Sequence, residues 1–250
     1  MKKILFITLL LIVGCSQETE VLYYDNGQKE SELIYKDKKL VKSTWWYDNG
    51  QKEQVATYKE GGFDGLLIKW YENGQKKNEV TFKNGEKNGL RIEWYENGQK
   101  KEEGTYKNGM GEGINTWWYE NGQIEKEGNF KDGKRDGKGT WYYKYGQIKQ
   151  EENYKDGKED GLWTWWYENG QKSSKGNYKD GKEDGLWTGW YENGQKRFEQ
   201  TYKYGKEEGI FTSWYKNGKK KKEGTMKNGE GVGKWTWYNK DGSVDRVEEY

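Results

Sequence analysis

Three kinds of side chain in this sequence could do chemistry or bind a ligand: carboxylates at a fixed spacing, one cysteine and many tryptophans. Asp136, Asp160 and Asp184 stand 24 residues apart, each before a glycine, and could suggest calcium sites. A calcium ion, however, needs about six to eight oxygens that converge on one point. Since each aspartate lies beside glycine in a lysine-rich segment, as in turns, we expect no metal ion.

The composition also argues against an enzyme. The chain has no histidine and a single cysteine, Cys15. The usual general base and the commonest metal ligand are therefore missing, and no internal disulfide can form. Carboxylates are plentiful, but none differs from its copies elsewhere in the chain. The sequence predicts no enzymatic activity, no catalytic residue and no cofactor.

The first 22 residues differ from the rest. Lys2 and Lys3 precede the apolar run of residues 4–13, which is too short to span a bilayer as a helix. Residues 12–15 (Ile-Val-Gly-Cys) resemble a bacterial lipobox, which implies that residues 1–14 are a signal peptide and that Cys15 is acylated. Residues 15–22 would then form a short tether. The alternative is an ordinary cleaved signal peptide with an incidental cysteine.

Cleavage at this site changes the charge. The full chain has 44 Lys and Arg against 42 Asp and Glu, and loss of Lys2 and Lys3 leaves 42 against 42. A neutral body gives no reason to expect nucleic acid as a partner. We expect a membrane-anchored lipoprotein outside the cytoplasm, facing the periplasm or on the cell surface, and held by the acyl chains on Cys15.

Glycines at a fixed spacing dominate the remaining sequence. The tripeptide Glu-Asn-Gly or a near copy recurs every 24 residues, with its glycines at Gly50, Gly74, Gly98, Gly122, Gly146, Gly170, Gly194, Gly218 and Gly242. Such a period indicates a repeat architecture, in which each unit contacts mainly its neighbours. Aromatic residues make up 17% of the chain, which argues against disorder.

Each repeat has the pattern of a β-hairpin. The aromatic and β-branched segment 162–167 predicts one strand, and a second strand follows Gly170. We predict a three-residue turn with a glycine bulge between them, which would place the recurrent aromatic residues Trp166 and Tyr178 on one face. Residues 155–161 should form a longer glycine-bounded turn. The predicted fold is all-β, an elongated open antiparallel β-meander of nine to ten tandem 24-residue hairpins over residues 23–250.

Tryptophans on the other face of the first strand vary between repeats and are candidates for a ligand-binding face. They are Trp117, Trp141, Trp163, Trp165 and Trp187. An exposed patch of this kind would suit a protein edge, a glycan or a lipid surface. The alternative is that the rings pair across strands and stabilise a thin sheet.

The repeat resembles a known family. Residues 166–172 (WYENGQK) and 161–165 (GLWTW) are similar to the MORN-repeat variant of many bacterial proteins, and the likeness covers about residues 23–242. The resemblance implies an array of β-hairpins. Bacterial members with a lipoprotein signal are described as antitoxin components of toxin–antitoxin systems, and eukaryotic relatives are linked to membrane association, phospholipid binding and scaffolding.

Two hypotheses for function follow. In the first, the chain is a non-enzymatic, lipid-anchored scaffold that binds a protein, with the resemblance implying a cognate toxin as the partner. In the second, it is a cell-envelope or surface module that binds glycan or a host surface through exposed tryptophans.

Overall fold

The computed structural model describes residues 6–12 and 15–250. Its internal contacts divide the chain into two units. Unit 1 extends to Gln123 and includes Phe130–Gly133, and unit 2 comprises Ile124–Asn129 and Lys134–Tyr250. Within the described residues, every regular element is a β-strand. This part of the chain contains no helix that is long and apolar enough to cross a membrane.

Strands follow one another at short intervals. In unit 1 they are β1 (Phe6–Ile12), β2 (Cys15–Tyr23), β3 (Lys29–Lys36), β4 (Lys39–Trp46), β5 (Lys52–Lys59), β6 (Gly62–Trp70), β7 (Lys76–Lys83), β8 (Glu86–Trp94), β9 (Lys100–Lys107) and β10 (Met110–Trp118). Next comes β11 (Ile124–Lys131), whose residues are divided between the units. In unit 2 the others are β12 (Lys134–Tyr142), β13 (Ile148–Lys155), β14 (Lys158–Glu159), β15 (Gly161–Trp166), β16 (Lys172–Lys179), β17 (Lys182–Trp190), β18 (Lys196–Lys203), β19 (Lys206–Trp214), β20 (Lys220–Lys227), β21 (Glu230–Tyr238) and β22 (Val244–Glu249).

Pairing within each unit is antiparallel and sequential. In unit 1 each strand from β1 to β10 pairs with the next. In unit 2 the strands from β12 to β22 also pair in sequence order. The exception is β13, which pairs with both the short strand β14 and its continuation β15. No described pairing joins the first strand of a unit to its last. The predicted all-β fold of open antiparallel hairpins is confirmed.

The turn that contains Glu-Asn-Gly has the predicted geometry. Gly170 donates its backbone N–H to the Tyr167 carbonyl at 2.9 Å, and Tyr167 donates to the Gln171 carbonyl at 2.8 Å. Gly170 has φ +82°, whereas Glu168 and Asn169 keep negative φ. This is a type I turn followed by a left-handed glycine, the usual three-residue hairpin with a glycine bulge.

A second bulge overturns the predicted arrangement of faces. Trp166 lies opposite Lys172, but Trp165 lies opposite Ser174, so Ser173 is an extra residue in its strand. Because side chains alternate along a strand, the extra residue moves Tyr178 to the face of Trp163 and away from Trp166. The prediction that Trp166 and Tyr178 share a face was therefore wrong.

The other connection is shorter than predicted. Lys155 lies directly opposite Lys158, and the two residues between them, Asp156 and Gly157, have φ +51° and +86°. Positive φ at both central residues defines a tight type I′ turn. The predicted longer turn over 155–161 was wrong, because Gly161 belongs to the following strand β15.

Residues of the Tyr-Glu-Asn-Gly-Gln motif bind neighbouring repeats to each other. The Tyr167 hydroxyl donates to the Trp190 carbonyl at 2.8 Å, and Asn169 Nδ2 donates to the Glu192 carbonyl at 2.8 Å. Equivalent tyrosine bonds run from Tyr24, Tyr47, Tyr71, Tyr95, Tyr143, Tyr191 and Tyr215. The motif is thus explained by packing between repeats.

Removal of one such bond should cost a typical hydrogen bond. We expect Tyr167→Phe to lower the free energy of unfolding by about 1 kcal/mol, because the Trp190 carbonyl loses its partner. Urea unfolding followed by circular dichroism measures this. Tyr145→Phe is the matched control, since Tyr145 is 84% exposed and should change stability by less than about 0.5 kcal/mol. Equal losses of unfolding free energy in the two variants would contradict a stabilising role for the tyrosine hydrogen bonds between repeats.

The predicted signal peptide falls partly outside the described residues. Lys2, Lys3, Val13 and Gly14 lie outside them. Cys15 begins β2, which pairs with β3, so residues 15–22, expected as a tether, are part of a strand here. Acylation of Cys15 stays a prediction.

Candidate functional site

The aromatic face of unit 2 is built from side chains that alternate along β13 to β18. We use this name for the face that carries Tyr154, Trp163, Trp165, Tyr178, Trp187 and Tyr202. Ring centres of Trp163 and Tyr178 are 5.1 Å apart, and those of Tyr178 and Trp187 are also 5.1 Å apart. These contacts are edge-to-face, a favoured geometry for aromatic pairs.

Two of these tryptophans are core residues of the sheet. Trp163 and Trp187 are only 7% and 9% exposed. Their indole N–H groups donate to the backbone carbonyls of Asn153 and Asn177 at 3.0 and 3.1 Å. A Cβ atom on Gly176 would lie 2.1 Å from Trp187 Cδ2, so the glycine provides the space that the ring occupies.

The structure brings only some of the five candidate tryptophans together. Trp165 contacts both Trp163 and Trp187, with ring centres 5.5 and 5.7 Å apart. Trp141 lies opposite Gln150, which also lies opposite Trp165. Trp117 belongs to unit 1, where its ring lies 6.1 Å from that of Phe130. Ligand binding by these five residues stays a prediction, and burial of Trp163 and Trp187 favours cross-strand pairing for these two.

Two of the three aspartates considered for calcium, Asp136 and Asp160, accept hydrogen bonds from the backbone of the following repeat. Asp136 Oδ2 accepts the backbone N–H of Asp156 at 3.1 Å, and Asp160 Oδ2 accepts that of Asp180 at 3.4 Å. Each carboxylate thereby supports the turn of the following repeat. Within the part of the chain that the structure describes, no three potential metal ligands converge on one point.

Burial on the aromatic face changes the acidity of its tyrosines. The pKa of Tyr202 is raised to about 12, first because burial disfavours the phenolate and second because Glu207 and Glu183 lie nearby. Burial likewise raises the pKa values of Tyr154 and Tyr178. All three hydroxyls therefore stay protonated at neutral pH and have no role as bases there.

The raised pKa of Tyr202 predicts a loss of stability in alkali. Its unfolded pKa is about 10. The unfolded chain therefore releases this proton first, so the stabilisation is complete below pH 10 and is lost as pH rises toward about 12. We expect Tyr202→Phe to flatten the fall in melting temperature between these values. An unchanged pH profile in this variant would contradict the assignment.

A cleft in unit 2 combines aromatic rings with unpaired cations. Its volume is about 500 Å³. The lining residues are Tyr191, Arg197, Phe198, Phe211, Ser213, Trp214, Lys221, Lys222 and Trp237. Arg197, Lys221 and Lys222 form no salt bridge with any described carboxylate. The cleft can therefore bind an anionic group beside a flat, apolar surface.

Sequence reasoning missed this cleft because the second bulge was not foreseen. Arg197 and Lys221 are the extra residues of their strands, at the position that Ser173 holds in β16. A bulge redirects its side chain, and the Lys221 ammonium lies 5.9 Å from the Tyr215 ring centre. The available signals were the basic residue three positions after the turn glycine and the basic run of residues 219–222, which contains two of the three cations of the cleft.

A similar cleft of about 480 Å³ occurs in unit 1, but its charge is partly neutralised. Arg91, one of its lining residues, contacts both Glu93 and Glu102. The Arg91 Nη1 to Glu102 Oε1 distance is 2.7 Å. Four further lining residues, Lys69, Lys77, Lys87 and Lys101, form no salt bridge with a described carboxylate, so this cleft can also accept an anionic group.

Comparison with known proteins identifies the repeat. No curated protein matches the chain. The family model described as MORN repeat variant matches nine segments, residues 19–37, 40–60, 63–84, 87–108, 111–132, 135–156, 159–180, 183–204 and 207–228. MORN repeats are generally modules that bind proteins or membranes. Since the nine segments cover well over half of the sequence, the chain belongs to the MORN repeat variant family.

Proposed function

We propose that this chain is a non-enzymatic scaffold that binds a protein partner, held at a bacterial membrane by acyl chains on Cys15. The resemblance to lipoprotein members of the family implies that the chain is an antitoxin component. In that case the partner is a toxin. The family supports protein or membrane binding in general. Anchoring and the antitoxin role are our extension of it.

One observation carries the proposal. The tyrosine that recurs in the turn motif and the asparagine two residues after it are used between repeats, as their hydrogen bonds to neighbouring carbonyls show. Residues that differ between repeats lie on the two faces of the sheet. Arrays of this kind use such varied surfaces to bind partners, whereas catalysis would require one distinguished site.

Crosslinking in intact cells, followed by purification of the full chain and mass spectrometry, tests the proposal. We expect one protein to be recovered in a fixed ratio to the chain. For a toxin, expression of that protein alone should arrest growth, and co-expression with this chain should restore it. Recovery of no protein above background would contradict the scaffold, and a harmless partner would contradict only the antitoxin role.

The lipid anchor has a separate test. Cys15→Ser should move the protein from the membrane fraction to the soluble fraction and abolish incorporation of a labelled fatty acid. The control is the conservative variant Ser16→Thr, which leaves the cysteine in place and should keep the protein at the membrane. If Cys15→Ser stays membrane-bound without label, the anchor lies elsewhere.

A second candidate function is glycan binding through tryptophan, which the unit 2 cleft favours. Trp214 and Trp237 line it beside three cations, an arrangement suited to stacking on an acidic sugar. The expected result is retention on immobilised acidic glycans that Trp237→Ala weakens. Retention that is equal for both forms, or absent for the unchanged chain, would exclude this function.

A further inference from the structure

Three pairs of lysines lie directly opposite each other in successive repeats of unit 2. They are Lys155 and Lys158, Lys179 and Lys182, and Lys203 and Lys206. All six are exposed, and none forms a salt bridge with a described carboxylate, including those of Asp156 and Asp180 in the turns between them. They form a basic row along one end of the strands, which we call the lysine row.

The fold does not require this row. Like charges directly opposite each other destabilise a pair of strands. The same two positions hold Lys83 and Glu86 in unit 1, and Lys227 and Glu230 at the end of unit 2, whereas the single pair Lys36 and Lys39 in unit 1 is again lysine opposite lysine. Opposite charges therefore fit the turn equally well. Three successive repulsive pairs lower stability, which indicates that the row serves binding.

Exposed aliphatic residues accompany the lysine row. Leu162, Leu186 and Ile210 are 40%, 53% and 70% exposed, and we call them the aliphatic stripe. Lys138 and Lys234 take the same position in the flanking repeats, whereas in unit 1 that position again holds exposed aliphatic residues, Leu66, Leu90 and Ile114. The stripe therefore extends over three repeats.

Register places the stripe and the row on one face. Leu162 lies opposite Asn177, two residues before Lys179 on β16, and Leu186 lies opposite Thr201, two residues before Lys203 on β18. Residues two apart share a face and are separated by about 7 Å. The face thus presents an apolar line beside a basic line, both repeated every second strand, or about 10 Å.

We propose that this face binds an acidic amphipathic α-helix of a protein partner, lying across the strands. Seven residues of helix advance about 10.5 Å, close to the spacing of every second strand. A helix with aliphatic residues every seventh position and carboxylates beside them presents two parallel lines that match the stripe and the row. The inference rests on the proposed protein-binding function and specifies the partner's chemistry.

Charge and geometry favour a helix over other ligands. An extended peptide points successive side chains to opposite sides and presents only one line to a surface. A nucleic acid would match the charge but leave the aliphatic stripe exposed. A membrane could bind both the aliphatic stripe and the lysine row, but its lipids have no regular spacing that corresponds to the repeat. The spacing of side chains in the ligand is therefore the property to test.

Fluorescence anisotropy with a labelled synthetic helix of about three heptads tests the proposal on the full chain. The peptide carries leucine at every seventh position and glutamate beside it, and a scrambled peptide of the same composition is the comparison. The variant Lys155→Glu, Lys179→Glu, Lys203→Glu converts the three repulsive pairs into attractive ones. It should therefore keep or raise the melting temperature while weakening binding at least about tenfold.

The control variant Lys59→Glu, Lys83→Glu, Lys107→Glu makes the same charge change at the same turn position in unit 1. It should bind the ordered peptide like the unchanged chain, and the scrambled peptide should bind at least about tenfold more weakly. Equal binding of both peptides, no binding, or binding only to vesicles of anionic phospholipid would overturn the helix proposal. Recovery of the same crosslinked partner by the unit 2 variant would also overturn it, while leaving the scaffold function intact.

Discussion

Replacement of Trp187 by alanine is expected to lower the free energy of unfolding by about 3–5 kcal/mol. The ring is 9% exposed and lies 5.1 Å from Tyr178 and 5.7 Å from Trp165, measured between ring centres. Its N–H also satisfies the Asn177 carbonyl. Truncation removes these contacts together and leaves a cavity beside Gly176. Urea unfolding followed by circular dichroism at the backbone wavelengths measures the loss.

The neighbouring residue provides the control. Leu186 lies on the other face and is 53% exposed, so Leu186→Ala should change stability by no more than about 0.5 kcal/mol. A loss below about 1 kcal/mol for Trp187→Ala would mean that the aromatic face is not the core of unit 2. The five tryptophans would then be stronger candidates for ligand contact.

Much of the fold could be predicted because the turn motif determines its own geometry. Glu168 and Asn169 suit the centre of a type I turn, and Gly170 supplies the left-handed residue that closes it. Repetition then specifies the hairpin, the antiparallel pairing and the order of strands. Local turn chemistry and a fixed period were sufficient for the fold class.

The arrangement of faces could not be predicted, because the second bulge has no distinctive residue. The extra position holds serine at 173, arginine at 197 and lysine at 221. None of these requires an unusual backbone conformation, and a shift of one residue exchanges the faces. Trp163, Trp165 and Trp187 consequently share their face with Tyr178, and the supposed surface patch is here a partly buried core.

The basic features of unit 2 were also missed, for a different reason. The overall charge is close to neutral, so the composition gives no sign of local imbalance. The lysine row arises only when the tight turn places Lys155 opposite Lys158. Pair register, which depends on turn length, is needed before like charges can be recognised as neighbours.

Side chains in the centre of the aromatic face compensate for each other in size. Trp163 lies opposite Gly176, whereas one hairpin earlier Gly139 lies opposite Glu152. The Glu152 side chain fills the space above Gly139, where a Cβ atom would lie 2.7 Å from Oε1. It is only 2% exposed, so the carboxylate needs partners. Arg135 contacts Oε1, which also accepts from Trp141 Nε1 at 3.0 Å.

Loss of Arg135 should therefore be severe. We expect Arg135→Ala to lower the free energy of unfolding by about 3 kcal/mol or more, because it leaves a buried charge without its counter-ion. The double variant Arg135→Ala, Glu152→Gln should recover a large part of the loss, since a neutral amide needs no counter-ion. Lys138→Ala is the control, because its bond to Glu151 is exposed and worth at most about 1 kcal/mol. Equal losses for Arg135→Ala and Lys138→Ala would show that the carboxylate of Glu152 does not depend on Arg135.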